Sequence, residues 1–345
     1  MTRVVFCCDA GPALGVGHLM RCVALAEELA DRGNECVFVA DVAEMAWARS
    51  QLTTRRFAIH ERVAGAPDVV ALIADLGPAA VVLDSYHSPP EFSRELRATT
   101  PVIAIVDGSA RGQAGDLYID QNLDAEHLPG PTDAPRLAGL DYALLRTEVL
   151  RLRPLAPPTG ARHKPPRVLA YFGGTDAYGT SPAILAALTA SSEPFDATVV
   201  APRPELRAAL ARLPLGDSQR LTVIDPTSDL MSLAAAADLV ISAAGTSLWE
   251  LLCIGAAAAV VCVADNQQLG YARVVAAGTA AGLGHLDDVR AEPAVAAAAL
   301  GALLADTGRR DRLRAAGWAM VDGHGRGRVA DAVEALIAAR GRSVS

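Results

Sequence analysis

Short β-branched runs alternate with helical patterns along almost the whole chain, and the alternation starts twice. In the first half, "RVVFCC" (3–8), "CVFVA" (36–40), "AAVVLD" (79–84) and "VIAIV" (102–106) read as buried strands. Amphipathic helical segments at 18–32, 67–76 and 90–98 separate them. Such alternation builds βαβ units around a parallel sheet. The stretch 151–166 then breaks the pattern, with five prolines (Pro154, Pro157, Pro158, Pro165, Pro166) and no apolar period. After it the alternation resumes: "RVLAYF" (167–172), "ATVVA" (197–201), "LTVI" (221–224), "DLVISA" (238–243) and "AAVVCV" (258–263). The expected fold is α/β, with two Rossmann-like doubly wound lobes at 1–150 and 167–345 joined by a linker at 151–166. A last helix at 326–340 can cross back to the first lobe.

A chain of 345 residues suits two such lobes better than one domain. Aromatic residues are only 4%, so the core must be Ala, Val and Leu, which lets helices lie close on a sheet. The net charge of −8, without a basic stripe, argues against nucleic acid as a partner. No apolar run is long enough to span a bilayer, and the N-terminus lacks the pattern of a signal peptide. Cys7, Cys8, Cys22, Cys36, Cys253 and Cys262 sit in apolar segments without metal-site spacing, as reduced core residues of a cytoplasmic protein do.

In doubly wound sheets, ligands bind at the carboxyl ends of the strands, so the strand-to-helix loops carry the chemistry. The first, "CCDAGPALGVGHLMRC", is neither a P-loop nor a dinucleotide fingerprint. Gly15 and Gly17 let a ligand approach the backbone. His18 opens the helix, where the dipole disfavours an imidazolium and a neutral ring can serve as general base. Arg21, three residues on, lies on nearly the same face and can meet a carboxylate or phosphate. "VVLDSYHSPPEF" (81–92) brings Asp84, to orient His18 or bind a sugar hydroxyl, with Tyr86 beside it and His87 as a spare. His18, Asp84 and Tyr86 form the candidate catalytic set. Asp107 stands at the next strand end. In the second half, Gly173, Gly174, Thr175 and Asp176 precede a helix and can hold a diphosphate. Gly245, Thr246 and Ser247 do the same at another helix. Glu250 either grips ribose hydroxyls or forms a capping box with Ser247. Asn266 and Gln267 supply amides for phosphate or sugar. Each loop is also an ordinary turn; together they recur at strand ends in both lobes.

The segments "DAGPALGVGHLMRCVALA", "LDSY", "DYALLRTEV", "GGTD", "DLMSLAAAADLVISAAGTSLWELLCIG", "NQ" and "DGHGRGRV" occur in an order that resembles the PseG/SpsG family of UDP-2,4-diacetamido-2,4,6-trideoxy-β-L-altropyranose hydrolases. That resemblance spans nearly the whole chain. It implies the GT-B fold, similar to MurG-type glycosyltransferases, and a UDP-sugar between the lobes. It further implies His18 as activator of the attacking water, Gly245, Thr246 and Ser247 near the diphosphate, Glu250 near the ribose, and Asn266 and Gln267 near the phosphates or sugar. Many relatives carry two adjacent acids where this chain has Asp107-Gly108.

The expected reaction is inverting cleavage of the anomeric C1–O bond of a UDP-sugar, with His18 as base. Water as nucleophile makes a hydrolase. A hydroxyl compound or nucleobase as small acceptor makes a glycosyltransferase. No cofactor is expected, and without a D-x-D motif at a strand end no metal. A UDP-sugar 2-epimerase and a non-catalytic binding module are the other readings.

Overall fold

The computed structural model describes residues 2–11, 16–61 and 66–344. Gly15 lies outside the described residues. The chain divides into two compact units, Met1–Thr147 with Gly323–Ser345, and Glu148–Asp322.

The first unit holds a seven-stranded parallel sheet: β1 (Arg3–Cys8), β2 (Glu35–Val39), β3 (Ala58–His60), β4 (Ala80–Asp84), β5 (Val102–Ile105), β6 (Leu117–Asp120) and β7 (Arg136–Ala138). Its order is β3-β2-β1-β4-β5-β6-β7. Helices α1 (Gly17–Asp31), α2 (Ala46–Thr54), α3 (Ala66–Leu76) and α4 (Pro90–Thr99) follow the first four strands. Strand alternation feeds both faces, because successive side chains point to opposite sides. Val4, Phe6 and Cys8 pack with Leu19, Cys22 and Val23 of α1, whereas Val5 and Cys7 pack with Val69, Ile73, Phe92 and Leu96 of α3 and α4. Burial on both faces is why these strands read as unbroken apolar runs. β3 and β7 escape the sequence pattern because each has three residues, none fully buried.

The second unit holds helix α5 (Thr147–Leu152), which begins on the last residue of the first, then β8 (Arg167–Tyr171), α6 (Thr180–Ala190), β9 (Phe195–Val200), α7 (Pro204–Leu210), β10 (Gln219–Ile224) and α8 (Leu230–Ala236). There follow β11 (Leu239–Ala243), α9 (Ser247–Cys253), β12 (Ala258–Cys262), α10 (Gln268–Ala276), β13 (Ala281–His285), α11 (Leu286–Ala291), α12 (Pro293–Ala305) and α13 (Thr307–Met320). The six-stranded parallel sheet has the order β10-β9-β8-β11-β12-β13. Its sixth strand, "AGLGH", carries two glycines and no β-branched residue, so propensity gives no sign of it.

One segment differs from the sequence reading. Residues 151–166 are packed on the second unit and do not hang as a free linker. Arg153 donates to the carbonyls of Cys253, Val321 and Trp318 at 2.7, 2.6 and 3.0 Å. The Gly160 N–H donates to Asp311, and His163 Nδ1 lies 2.8 Å from Asp238. The second unit ends at Asp322, and α14 (Gly325–Val344) is part of the first unit. Its Val329, Ala330 and Val333 enter the core that α1 closes, and Arg32 of the loop after α1 pairs with Asp331 and Glu334.

The start of α14 nearly touches backbone. A Cβ added at Gly325 would stand 2.4 Å from both the nitrogen and the oxygen of Ala143. Backbone cannot swing aside as a side chain can, so Gly325→Ala is expected to cost about 1–3 kcal/mol. A thermal melt checks this: the transition should fall by several degrees, and an unchanged melt would contradict the close approach.

Candidate active site

The strand order of the first sheet reverses between β1 and β4, the place where an open α/β sheet forms a crevice at its carboxyl edge. Asp84 ends β4 there and is fully buried. α1 starts from the loop after β1 and delivers His18 and Arg21 one turn apart on one face. His18 Nδ1 lies 2.5 Å from Asp84 Oδ1. Arg21 donates from Nε and Nη2 to the two Asp84 oxygens at 2.5 and 2.7 Å. Its Nη1 and Nη2 also donate to the two oxygens of Asp107 at 2.9 and 3.0 Å. One guanidinium thus forks onto two carboxylates, the geometry its planar donors favour.

Burial works against the charge on Arg21, but Asp107 and Asp84 outweigh it and hold the guanidinium well above its usual range. Burial likewise disfavours the charged form of Asp107. The Arg21 charge and hydrogen bonds from Arg21, Tyr86 and Asn122 override that, leaving its carboxyl well below the usual range. The Tyr86 hydroxyl donates to Asp107 Oδ2, and Asn122 Nδ2 donates to Oδ1 at 2.8 Å. Burial and the neighbouring Asp107 push the Tyr86 phenol up, so it stays a neutral donor. The Tyr86 ring meets the His18 ring edge-on, with centroids 4.4 Å apart. A buried carboxylate facing Nδ1 favours the tautomer with Nδ1–H donating to Asp84, which leaves a lone pair on Nε2. His18 sits inside the first turn of α1, so it is not the cap of that helix.

Three residues of this edge were not singled out in the sequence. Asp9, just past β1, is buried and accepts from the Ser85 hydroxyl, the Tyr86 N–H and His87 Nδ1 at 2.8, 2.8 and 3.0 Å. Asp120, at the end of β6, accepts from Arg136, Asn122 and the Gly108 N–H. Asn122 joins Asp107 to Asp120. A polar residue at the end of an apolar run was the available signal, and "CCDAG" carries it for Asp9.

In the second unit the switch point falls between β8 and β11. Gly173 (φ 74°) and Gly174 are exposed in the loop after β8, with Thr175 partly covered. Asp176 departs from the expected ligand role. It is buried, and its two oxygens accept the Thr180 and Ser181 N–H groups at 2.7 and 3.0 Å, fastening the start of α6. Gly245, Thr246 and Ser247 are partly exposed after β11. The capping box does not form as drawn: α9 begins at Ser247 itself, and no side chain caps it. Gln267 anchors its Oε1 on the Val263 N–H at 3.2 Å, and its Nε2 lies 3.6 Å from where a Gly245 Cβ would stand. The loops after β11 and β12 therefore adjoin. Asn266 is exposed, and Glu250 is partly buried one turn into α9. A cleft lined by His163, Lys164, Glu193 and Arg220 lies at the opposite, amino-terminal edge of this sheet and contains none of these residues.

Solved structures with the same arrangement cover almost the whole chain. MurG of Acinetobacter baumannii matches 97% of this chain and 99% of its own, at a TM-score of 0.68 and 16% identity. The spinosyn rhamnosyltransferase SpnG, complexed with spinosyn aglycone, matches 97% and 100%, at 0.68 and 19%. A UDP-GlcNAc 2-epimerase from Neisseria meningitidis bound to UDP-GlcNAc matches 96% and 99%, at 0.62 and 14%. The protein has the GT-B fold. No family model matches the chain, and no curated protein matches it in sequence. GT-B chains are built of two Rossmann-like units, which is the 3-2-1-4-5-6 core order seen in both sheets here. The six cysteines are buried and free, and no helix among the described residues is long and apolar enough to cross a membrane.

Proposed function

We propose that the protein is a glycosyltransferase that moves the sugar of a UDP-sugar to a small acceptor with inversion at C1. The observation that carries this reading is the His18–Asp84 pair at the switch point of the first sheet. His18 Nε2 takes the proton of an acceptor O–H or N–H. The acceptor atom forms its bond to C1 as the C1–O bond to UDP breaks, and the bonding pair leaves with the diphosphate. A single displacement of this kind needs one base, and the favoured Nδ1–H tautomer supplies it. In this reading the second unit holds the nucleotide: Gly173, Gly174, Thr175 and the Gly245–Ser247 loop at the diphosphate, Glu250 at the ribose, and Asn266 and Gln267 at the phosphates or sugar. Fold-level likeness to a rhamnosyltransferase with its aglycone and to MurG supports transfer over the other GT-B reactions, as an analogy.

Hydrolysis is the second reading, and the motif set G-x-G-H-x-x-R-C with A-A-G-T-S-x-W-E favours it through the resemblance to PseG/SpsG hydrolases. The same His18 would then activate water. Epimerisation by elimination of UDP fits less well, because Asp84 and Asp107 are both tied to Arg21 and neither is free to work as an acid or base.

The deciding experiment is UDP release from a panel of UDP-sugars, with and without a pool of hydroxyl and nucleobase acceptors. Acceptor-dependent release is expected. Free sugar without acceptor would establish the hydrolase instead, and no release from any donor would leave only a binding module. Because the sequence has no D-x-D motif at a strand end, turnover is expected to persist in excess EDTA; a loss restored by Mg²⁺ or Mn²⁺ would overturn that expectation.

A further inference from the structure

A cation without a carboxylate partner among the described residues stands beside the proposed base. Arg111, in the loop between β5 and β6, stacks its guanidinium 3.7 Å from the centroid of the Tyr86 ring. The edge-on contact with His18 is made by that same ring. Tyr86 is pinned at both ends, by its hydroxyl on Asp107 and its N–H on Asp9, so it sets the guanidinium one ring away from His18. Arg21 and Arg136 are both paired with carboxylates, whereas Arg111 is exposed and has no ion pair among the described residues.

The backbone holds Arg111 in place at a conformational cost. Its φ is 50°, in the left-handed region that side chains other than glycine seldom adopt. Ser109 Oγ accepts its N–H at 3.1 Å. Gln113 of this loop donates to the Ser85 carbonyl at 2.5 Å, tying it to the loop that carries Tyr86. Stacking occupies one face of a guanidinium and leaves its in-plane N–H donors free, the fork that fits a carboxylate or phosphate.

We infer that Arg111, stacked on Tyr86, is the subsite for an anionic oxygen group, carboxylate or phosphate, carried by the sugar or by its acceptor next to the reacting bond. The inference rests on the reading of His18 as base. Near His18 two carboxylates, buried Asp84 and part-buried Asp107, face the single charge of Arg21. That excess repels an anionic substituent unless a further cation meets it, and Arg111 is placed to do so.

The test is a matched-pair assay on the full chain. Donors are UDP-glucose against UDP-glucuronate; acceptors are 4-hydroxybenzoate against its methyl ester. Wild type is compared with Arg111→Met, Arg111→Lys and, as a surface control, Arg94→Met, whose pairing with Glu91 is exposed. Wild type should have the lower KM for the charged member of one pair. Arg111→Met should raise that KM about 10–100-fold, the size of a lost charge-assisted fork, and Arg111→Lys should recover part of it. A charge preference among donors assigns the anion to the sugar; one among acceptors assigns it to the acceptor. No preference in wild type, or one that survives in Arg111→Met, overturns the subsite. Titration of ¹⁵N-labelled protein with inorganic phosphate, read at the arginine Nε–H resonances, separates the two readings. Saturable shifts at Arg111 without UDP-sugar turnover would support an anion subsite and refute the reaction assigned to His18. Turnover without shifts at Arg111 would do the reverse.

Discussion

In the acceptor-dependent UDP-release assay, His18→Ala is expected to lower kcat by about 10²–10⁴-fold, the usual contribution of a general base. KM should move little, because the imidazole contributes to the proton transfer more than to ground-state binding. Asp84→Asn should also slow turnover, since an amide can no longer hold Nδ1–H with a full negative charge. His87→Ala is the informative comparison. His87 has the same kind of partner, with Nδ1 3.0 Å from buried Asp9, but its side chain is 59% exposed where that of His18 is 14%. If the large loss followed His87 and not His18, the base would have been assigned to the wrong histidine.

The other large effect is on stability. Arg21→Ala removes the arginine that pairs with both Asp84 and Asp107, and leaves one fully buried and one part-buried carboxylate without it. Stripping one side of a buried ion pair costs about 3–5 kcal/mol, because the remaining charge keeps its desolvation penalty. Arg21→Lys should rescue little, since one ammonium cannot fork onto four oxygens. The pH dependence has a definite sign. The folded pKa of Asp107 is depressed, so the stability it contributes is present above the unfolded carboxylate value of about 4 and is lost as pH falls toward the folded one. The gap between wild type and Arg21→Ala should therefore be widest near neutral pH and narrow in acid. Urea melts across pH 3–8 would show it, and a gap that is constant with pH would contradict the ionic account.

The polar strand ends of the candidate site were legible wherever a local pattern announced them. An apolar run ending in a polar residue marks a strand end, which is how Asp84 and Asp107 stand out in "VVLDSY" and "AIVDGS". A short run without β-branched residues announces nothing, so β7 and β13 are visible only in the sheets. Asp176 shows the opposite failure. Its "GGTD" setting suggests a ligand loop, yet its carboxylate is bound to the start of α6, a contact four and five residues away that sequence spacing alone does not separate from ligand binding.

By itself the sequence determined the α/β class, the doubling of the pattern and the placing of polar residues at strand ends, because all three follow from local periodicity and composition. Tertiary structure decided what those residues do. His18 and Arg21 meet Asp84 from 66 and 63 residues away only because β4 pairs directly with β1. Asp107 reaches Arg21 because β5 comes next in the sheet. The last helix returns to the first unit because its Val329 and Val333 complete the apolar face that α1 leaves open. Strand order is a choice among packings that bury the same residues, and a local pattern carries no record of which neighbour was taken.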